Sequence, residues 1–342
     1  MSPSSKDRSP RRGPGISWSS VLFVVFVLAA LAALAAWNNG SAWQRPPAAS
    51  KLSLAQIPFD GERAFGHLKA ICAIGPRVSA TEGMLRQQTY LKEHFSKLGG
   101  KVTMQEFPAR HPETGNNVQL ANLIVEWHPE RTKRILLCAH YDTRPFPDQD
   151  PANPRGLFVG ANDGASGVAV LCELAQHMPQ LKSNYGVDFV LFDGEELIFD
   201  ADRDPYFLGS EHFAREYKLK PPKHQYAYGV LLDMVGDTNL QLYREIGGMK
   251  EVPTRELTND IWSVARSLGV REFIFQNKHE VRDDHLALKE IAGIPAIDII
   301  DFEYPTSRIN YWHTTKDVPE NCSALSLAKV GWVLKTWLER VK

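Results

Sequence analysis

The sequence predicts an α/β fold of three layers, α/β/α, with helices on both faces of a central mixed, mostly parallel sheet. Three observations predict it. Short apolar runs of strand character alternate with amphipathic stretches from about Phe59 to the C-terminus. The most apolar runs, such as "KRILLCAHYD" and "VDFVLFDGEE", suit a sheet covered on both faces. The 342 residues are 43% hydrophobic and 23% charged, which is ordinary for a globular chain with one sizeable core or two small ones.

The elements follow in order. Residues 1–17 are polar and basic, with Lys6, Arg8, Arg11 and Arg12. They precede an uncharged run, Val21 to Trp37, which with its flanks (18–37) is about long enough to cross a ~30 Å hydrocarbon core. The upstream cations favour a cytoplasmic N-terminus, so the rest of the chain is expected outside the cytoplasm, anchored by this segment. A cleavable signal peptide is the competing expectation, because Ala33-Leu34-Ala35 fits the small-x-small cleavage pattern. Residues 38–57, rich in Asn, Ser, Ala and Pro, are expected to be a linker to a catalytic domain spanning 58–342.

Within that domain "GERAFGHLKAICAIG" and "ATEGMLRQQTYLKEHFSKLGG" predict helices, the second ending at paired glycines that suit a C-cap. "KVTMQEF", "LANLIVEW", "KRILLCAHYD", "VDFVLFDGEE", "YAYGVLLDMVG" and "IPAIDIID" predict strands. "ASGVAVLCELAQHM", "PTRELTNDIWSVARSLG", "DDHLALKEIAG" and "CSALSLAKVGWVLKTWLERV" predict further helices.

A formal net charge of -1 offers no basic surface of the kind that neutralises phosphates, so nucleic acid is not an expected partner. Cys72, Cys138, Cys172 and Cys322 show no C-x-x-C spacing, which argues against a cysteine zinc site. Cys138 and Cys172 lie in apolar runs and are expected in the core. An exported chain permits a disulfide, whose pairing the sequence does not specify.

The chemistry concentrates where strands stop. "ILLCAHYD" ends in His140 and Asp142, "VDFVLFDGEE" in Glu195 and Glu196, and "YGVLLDMVG" carries Asp233. Ligands of open α/β sheets bind beyond the carboxyl ends of the strands, so these residues are expected to converge on one crevice. "VGANDGASG" adds Asp163 and "NYWHTTKD" adds His313. Histidine with Asp or Glu in a half-buried site is a donor set that zinc takes, with an open position if the site is catalytic. If Glu196 is a ligand, its neighbour Glu195 lies over that open position as a general acid/base. Asp142 and Asp193 have no distinct role to fill and are expected to be solvated loop charges or helix caps.

The order "AHYDT", "GANDGASG", "FDGEE", "LLDMVG", "DDH" and "WHTTKD" resembles the zinc aminopeptidase clan that also contains the animal-type glutaminyl-peptide cyclotransferases. The resemblance runs from about Asp60 to the C-terminus and implies a zinc-aminopeptidase-like fold acting on peptide N-termini. It implies His140, Asp163, Glu196, Asp233 and His313 as metal ligands and Glu195 as general acid/base. In a two-zinc aminopeptidase Asp163 bridges the metals. In the cyclases Asp163, Glu196 and His313 hold one zinc, with His140 and Asp233 close by.

Three features resemble the cyclases. Twelve residues, "LIFDADRDPYFL", separate Glu196 from Gly209, where aminopeptidases turn almost at once. Asp283 stands before the Asp-His pair, where the cyclases carry an acid that hydrogen-bonds with the equivalents of Glu195 and Asp233. Trp312 precedes His313, as in the cyclase Trp-His-Thr whose indole walls the glutamine pocket. Two features depart: Ala201 stands where the cyclases carry a Trp, and Asp298 where they carry a His. Phe199 or Tyr304 is the expected substitute for the missing wall. The resemblance thus implies a zinc glutaminyl cyclase, with a zinc aminopeptidase as the alternative. A catalytically silent ectodomain is disfavoured by the full ligand set and the intact Glu195.

Overall fold

The computed structural model describes residues 49–341. Besides a two-residue hairpin, Pro305–Thr306 with Ile309–Asn310, its strands are β1 (Lys101–Arg110), β2 (Asn117–Trp127), β3 (Lys133–His140), β4 (Gly186–Phe192), β5 (Gln225–Asp233), β6 (Leu242–Arg244), β7 (Phe273–Asn277) and β8 (Ala296–Ile300). Six of them form one sheet in the order β1-β2-β4-β3-β5-β8, while β6 and β7 pair separately. β1 and β2 are antiparallel, as are β2 and β4. β4, β3, β5 and β8 run parallel, as the predicted mixed sheet requires. In this parallel half the carboxyl ends share one edge.

The helices are α1 (Gly61–Ala73), α2 (Glu82–Lys97), α3 (Ala165–Leu174), α4 (Leu208–Leu219), α5 (Val252–Leu268), α6 (Asp284–Glu290) and α7 (Ala324–Arg340). Asp60 caps α1 by accepting from the Arg63 backbone N–H at 2.9 Å. Gly99 adopts φ +90° just past α2, as its paired glycines predict. "ASGVAVLCELAQHM" departs from expectation: the α-helix ends at Leu174 and a 3-10 turn continues to Gln180. Pro179 is the physical reason, since its ring crowds the carbonyl four residues back. Helix α4 was not among the predicted elements.

Alternation along the strands feeds two cores. Ile135, Leu137 and Ala139 of β3, Val187, Phe189 and Leu191 of β4, and Val230 and Leu232 of β5 share a core with α1, α2, α3, α5 and α7. Leu136, Cys138, Val190, Phe192 and Leu231 point the other way, to Phe213 of α4 and Leu288 of α6. The sheet is covered on both faces. All four cysteines are buried and unbridged.

The segment read as linker enters the described residues at its end. Ser50 donates to Glu272 from both its backbone N–H and its hydroxyl, and Ile57 joins the core. The predicted anchor or signal, 18–37, lies outside the described residues. Among those described, no helix is long and apolar enough to cross a membrane.

Because Leu137 is fully buried at the centre of the sheet, Leu137→Ala is expected to cost about 2–5 kcal/mol, read as a lower urea midpoint at an unchanged slope.

Candidate active site

Two strands of the parallel half deliver a site residue by simply ending. β3 stops at His140 and β5 at Asp233. After β4 the chain turns at Gly194, whose φ of +77° suits glycine, and this turn presents Glu195 and Glu196 to the same edge. Asp163 comes from the loop entering α3. The glycine after it is required by contact, because a Cβ on Gly164 would lie 2.4 Å from His140 Nε2. His313 arrives from the loop after β8 in a left-handed conformation, φ +54°, that a non-glycine residue adopts only when its surroundings fix it.

These residues form two clusters that share Asp163: His140, Asp163 and Asp233, and Asp163, Glu196 and His313. His140 Nε2 is 3.0 Å from Asp163 Oδ1 and 3.3 Å from Asp233 Oδ1. His313 Nε2 is 3.1 Å from Glu196 Oε1 and 3.3 Å from Asp163 Oδ2. Yet Asp163 Oδ2, Glu196 Oε2 and His313 Nε2 are buried without a well-formed hydrogen bond. Buried polar atoms are rarely left so, and here they converge, which fits a donor set for a cation. All five expected ligands are brought together.

The electrostatics make the same demand. Burial opposes charge on His313 and His140. Glu196, with Asp148 and Asp163, overcomes it at His313, and Asp142, Asp163 and Asp233 at His140, so both imidazoles are held well above their usual range. Burial also works against ionised Asp163 and Glu196. The two histidines nevertheless pull Asp163 down, and His313 with Arg144 pulls Glu196 down. Positive charge is wanted at this point. A divalent cation would supply it.

Glu195 differs from its neighbour. Burial first, then the charge of Glu196, raises it well above the carboxylate range, as suits a proton carrier. Asp283, which caps α6, is raised by burial and by Asp233.

Several positioning residues were not expected. Asp142 is fully buried and accepts from the backbone N–H groups of Glu195, at 3.3 Å, and Glu196, at 2.9 Å. Asp193 is buried too, pushed up to about 7 by burial and then by Asp142. Neither is a solvated loop charge; both are hydrogen-bonded inside the turn that holds the glutamate pair, and Asp193 accepts from Ser79 and Ala121. Asp317 accepts from the backbone of Asn162 and Asp163. Arg144 donates to Glu196 at 2.8 Å and pairs with Asp148 at 2.9 Å, while Asp148 lies 3.4 Å from His313 Nδ1.

A cavity of about 390 Å³ opens above the clusters, lined among others by Glu195, Asp233, Asp283 and Trp312. The Trp312 indole stacks on His313 with ring centroids 3.7 Å apart. Ala201 lines the cavity, as its place in the loop implies, but neither expected substitute does. Phe199 packs sideways with Phe107, Leu120 and Leu197, and Tyr304 is buried with its hydroxyl on Asp317. Tyr206, Phe207 and Phe302 provide the aromatic surface instead. Asp298 lies beneath in β8, fully buried and pushed well above its usual range by burial and then by Asp283 and Asp233.

Residues 122–338 match Peptidase family M28. The chain is 25% identical to the glutaminyl-peptide cyclotransferase of Bothrops jararaca over 247 residues, a match that spans 64% of each chain, just under two thirds. Among solved structures it resembles a glutaminyl cyclase of Fimbriiglobus ruber, with TM-score 0.77 and 40% identity over 87% of this chain and 100% of that one. It also resembles a Zn-dependent exopeptidase from Parabacteroides distasonis, with TM-score 0.75 and 32% identity over 82% and 98%. The resemblance to animal cyclases therefore extends, at higher identity, to a bacterial one.

Zinc binding at the strand-end clusters, measured by competition with a chromophoric chelator in a Cys172→Ser background, is expected to be lost in Asp163→Ala, which removes the shared carboxylate. It is expected to fall about 10–100-fold in Asp148→Ala, which removes no ligand but releases His313 Nδ1 and the Arg144 guanidinium.

Proposed function

The chain belongs to peptidase family M28, and on that footing we propose that it is a glutaminyl-peptide cyclotransferase, converting N-terminal glutaminyl residues of peptides to pyroglutamyl with release of ammonia. The observation that carries this reading is the cavity. Trp312 stacks on His313 as its wall, Glu195, Asp233 and Asp283 share its surface, and the long loop after Glu196 folds Ala201, Tyr206 and Phe207 against it. Such a pocket suits a flat carboxamide side chain and limits access of water.

Asp163, Glu196 and His313 would hold one zinc, which when bound supplies the positive charge that polarises the γ-carbonyl of the glutamine. The protein's own groups do the rest. Glu195 takes a proton from the substrate's α-amine as that nitrogen closes on the γ-carbonyl carbon. It returns the proton to the amide nitrogen, which leaves as ammonia when its bond to carbon breaks. No water enters the balance. Asp283 and Asp233, buried residues that line the same cavity as Glu195, would hold that carboxyl through a shared hydrogen-bond chain once substrate is bound. Asp142, holding the backbone of Glu195 and Glu196, fixes which carboxylate faces the substrate and which the metal.

One observation favours a zinc aminopeptidase as the second reading. Asp163 belongs to both clusters, so His140 and Asp233 could take a second ion and make a two-metal hydrolase. In that case Glu195 would deprotonate a water. As for location, the apolar run 21–37 and its basic flank support a chain that is membrane-anchored, or exported after cleavage, with the catalytic domain outside the cytoplasm.

Glu195→Gln separates an enzyme from a silent fold. With a peptide beginning Gln-Xaa, kcat is expected to drop by about 10²–10⁴ while zinc content and thermal midpoint stay unchanged. An unaltered rate would sink the role given to Glu195.

A further inference from the structure

Away from the strand ends, where α1, α2 and α3 meet, His67, His94 and Cys172 each offer a donor atom within 4.8 Å of the other two. Two imidazoles packed against a thiol are usually ordinary core, and here their outer nitrogens argue otherwise. His94 Nε2 lies 2.9 Å from the carbonyl oxygen of Cys172. That oxygen can only accept, so Nε2 carries the hydrogen and Nδ1 keeps a free lone pair. His67 engages the Tyr90 hydroxyl through Nδ1 at 2.6 Å. Its other nitrogen, Nε2, is buried without a hydrogen-bond partner. Each ring is held through one nitrogen, and on His67 the other is left over, which is how metal-binding histidines are oriented.

Both imidazoles are shifted towards the neutral form that binds metals. Burial, and then His94, holds His67 down at about 4, and burial lowers His94 as well. The rings sit edge to face with centroids 4.4 Å apart. Beside them a cavity of about 510 Å³, lined by His67, Tyr90 and His94, gives an entry path. Arg63 and Lys97 are at its rim, but Arg63 is paired with buried Glu173 at 2.5 Å.

We propose that His67, His94 and Cys172 form a metal site separate from the catalytic centre, taking one borderline-soft divalent cation of the zinc class with its fourth position open to this cavity. Two nitrogens and a thiolate are the donor set such ions select. Around a tetrahedral zinc with Zn–N of about 2.0 Å and Zn–S of about 2.3 Å, donors stand roughly 3.5 Å apart. The trio need close by only about an ångström. On binding, the Cys172 S–H bond gives its proton to solvent as sulfur takes the metal, so one cation enters and one proton leaves. The three ligands come from three helices, so the ion ties α1, α2 and α3 together.

The strand-end centre contains no sulfur, which gives this site its own signal. Cobalt(II) titrated into the chelator-treated full chain is expected to raise a sulfur-to-cobalt charge-transfer absorption that saturates at one equivalent. The band is expected to vanish in Cys172→Ser and to persist in Glu196→Gln. His67→Gln, a change at a half-buried position, is expected to weaken cobalt binding in this band at least tenfold with the fold unchanged by circular dichroism. No thiolate band in the folded wild type, or a band that survives Cys172→Ser or is unaffected in folded His67→Gln, would overturn the assignment.

Discussion

A buried surplus of carboxylates at one edge of the sheet is the constraint on which the rest of this structure depends. Asp142, Asp163, Glu195, Glu196, Asp233, Asp283 and Asp298 all lie inside, most of them nearly free of solvent. Two like charges 4 Å apart repel by about 4 kcal/mol at an effective dielectric of 20. A few uncompensated pairs would consume a typical stability of about 5–15 kcal/mol. The protein answers in three ways. His140, His313 and Arg144 bring positive charge among the acids, backbone N–H groups cover Asp142 and Asp317, and burial with neighbouring acids shifts Glu195, Asp283 and Asp298 upward, which eases their mutual repulsion. What these leave over is a converging set of unpaired oxygens and nitrogens around Asp163, and the proposed zinc is the fourth answer.

The fold brings most of that crowding together through its topology. Parallel β3, β4 and β5 end at one edge, so residues distant in sequence meet there. The antiparallel half contributes support. The backbone of Ala121 and the side chain of Asn122, both from β2, bond to Asp193 and so hold the turn carrying the glutamate pair. Function rests on the division of labour within that pair. Glu196, drawn down by His313 and Arg144, is suited to a cation. Glu195, its immediate neighbour in the turn, is raised and suited to a proton.

Much of this was legible in the sequence because it depends on short-range pattern. The near-continuous apolar runs of β3 and β4 follow from burial on both faces, and each run stops at a short polar cluster, so His140, Glu195 and Glu196 could be placed. Asp142 was misjudged because its partners are backbone groups more than fifty positions away, and no spacing rule marks a carboxylate that bonds to a distant turn. Arg144 and Asp148 were missed for the same reason: their contacts with Glu196 and His313 exist only after the loops have packed. The wall left open by Ala201 was sought in Phe199 and Tyr304, residues near in sequence to the site. Tertiary packing turned both away and brought Tyr206, Phe207 and Phe302 in their stead. Helix α4 was overlooked, although Phe213 and Ala214 form a buried face, because a long loop of mixed polarity precedes it.

The central claim is that Glu195 moves a proton within the substrate and not from water. It is tested most directly by incubating the zinc-loaded protein with a glutaminyl peptide and a leucyl peptide in water enriched in heavy oxygen, and reading the products by mass spectrometry. The account predicts that the glutaminyl peptide loses the mass of one ammonia and gains no label, while the leucyl peptide is untouched. Labelled free leucine, or label incorporated into the glutaminyl product, would contradict it and make "FDGEEL" a device for activating water.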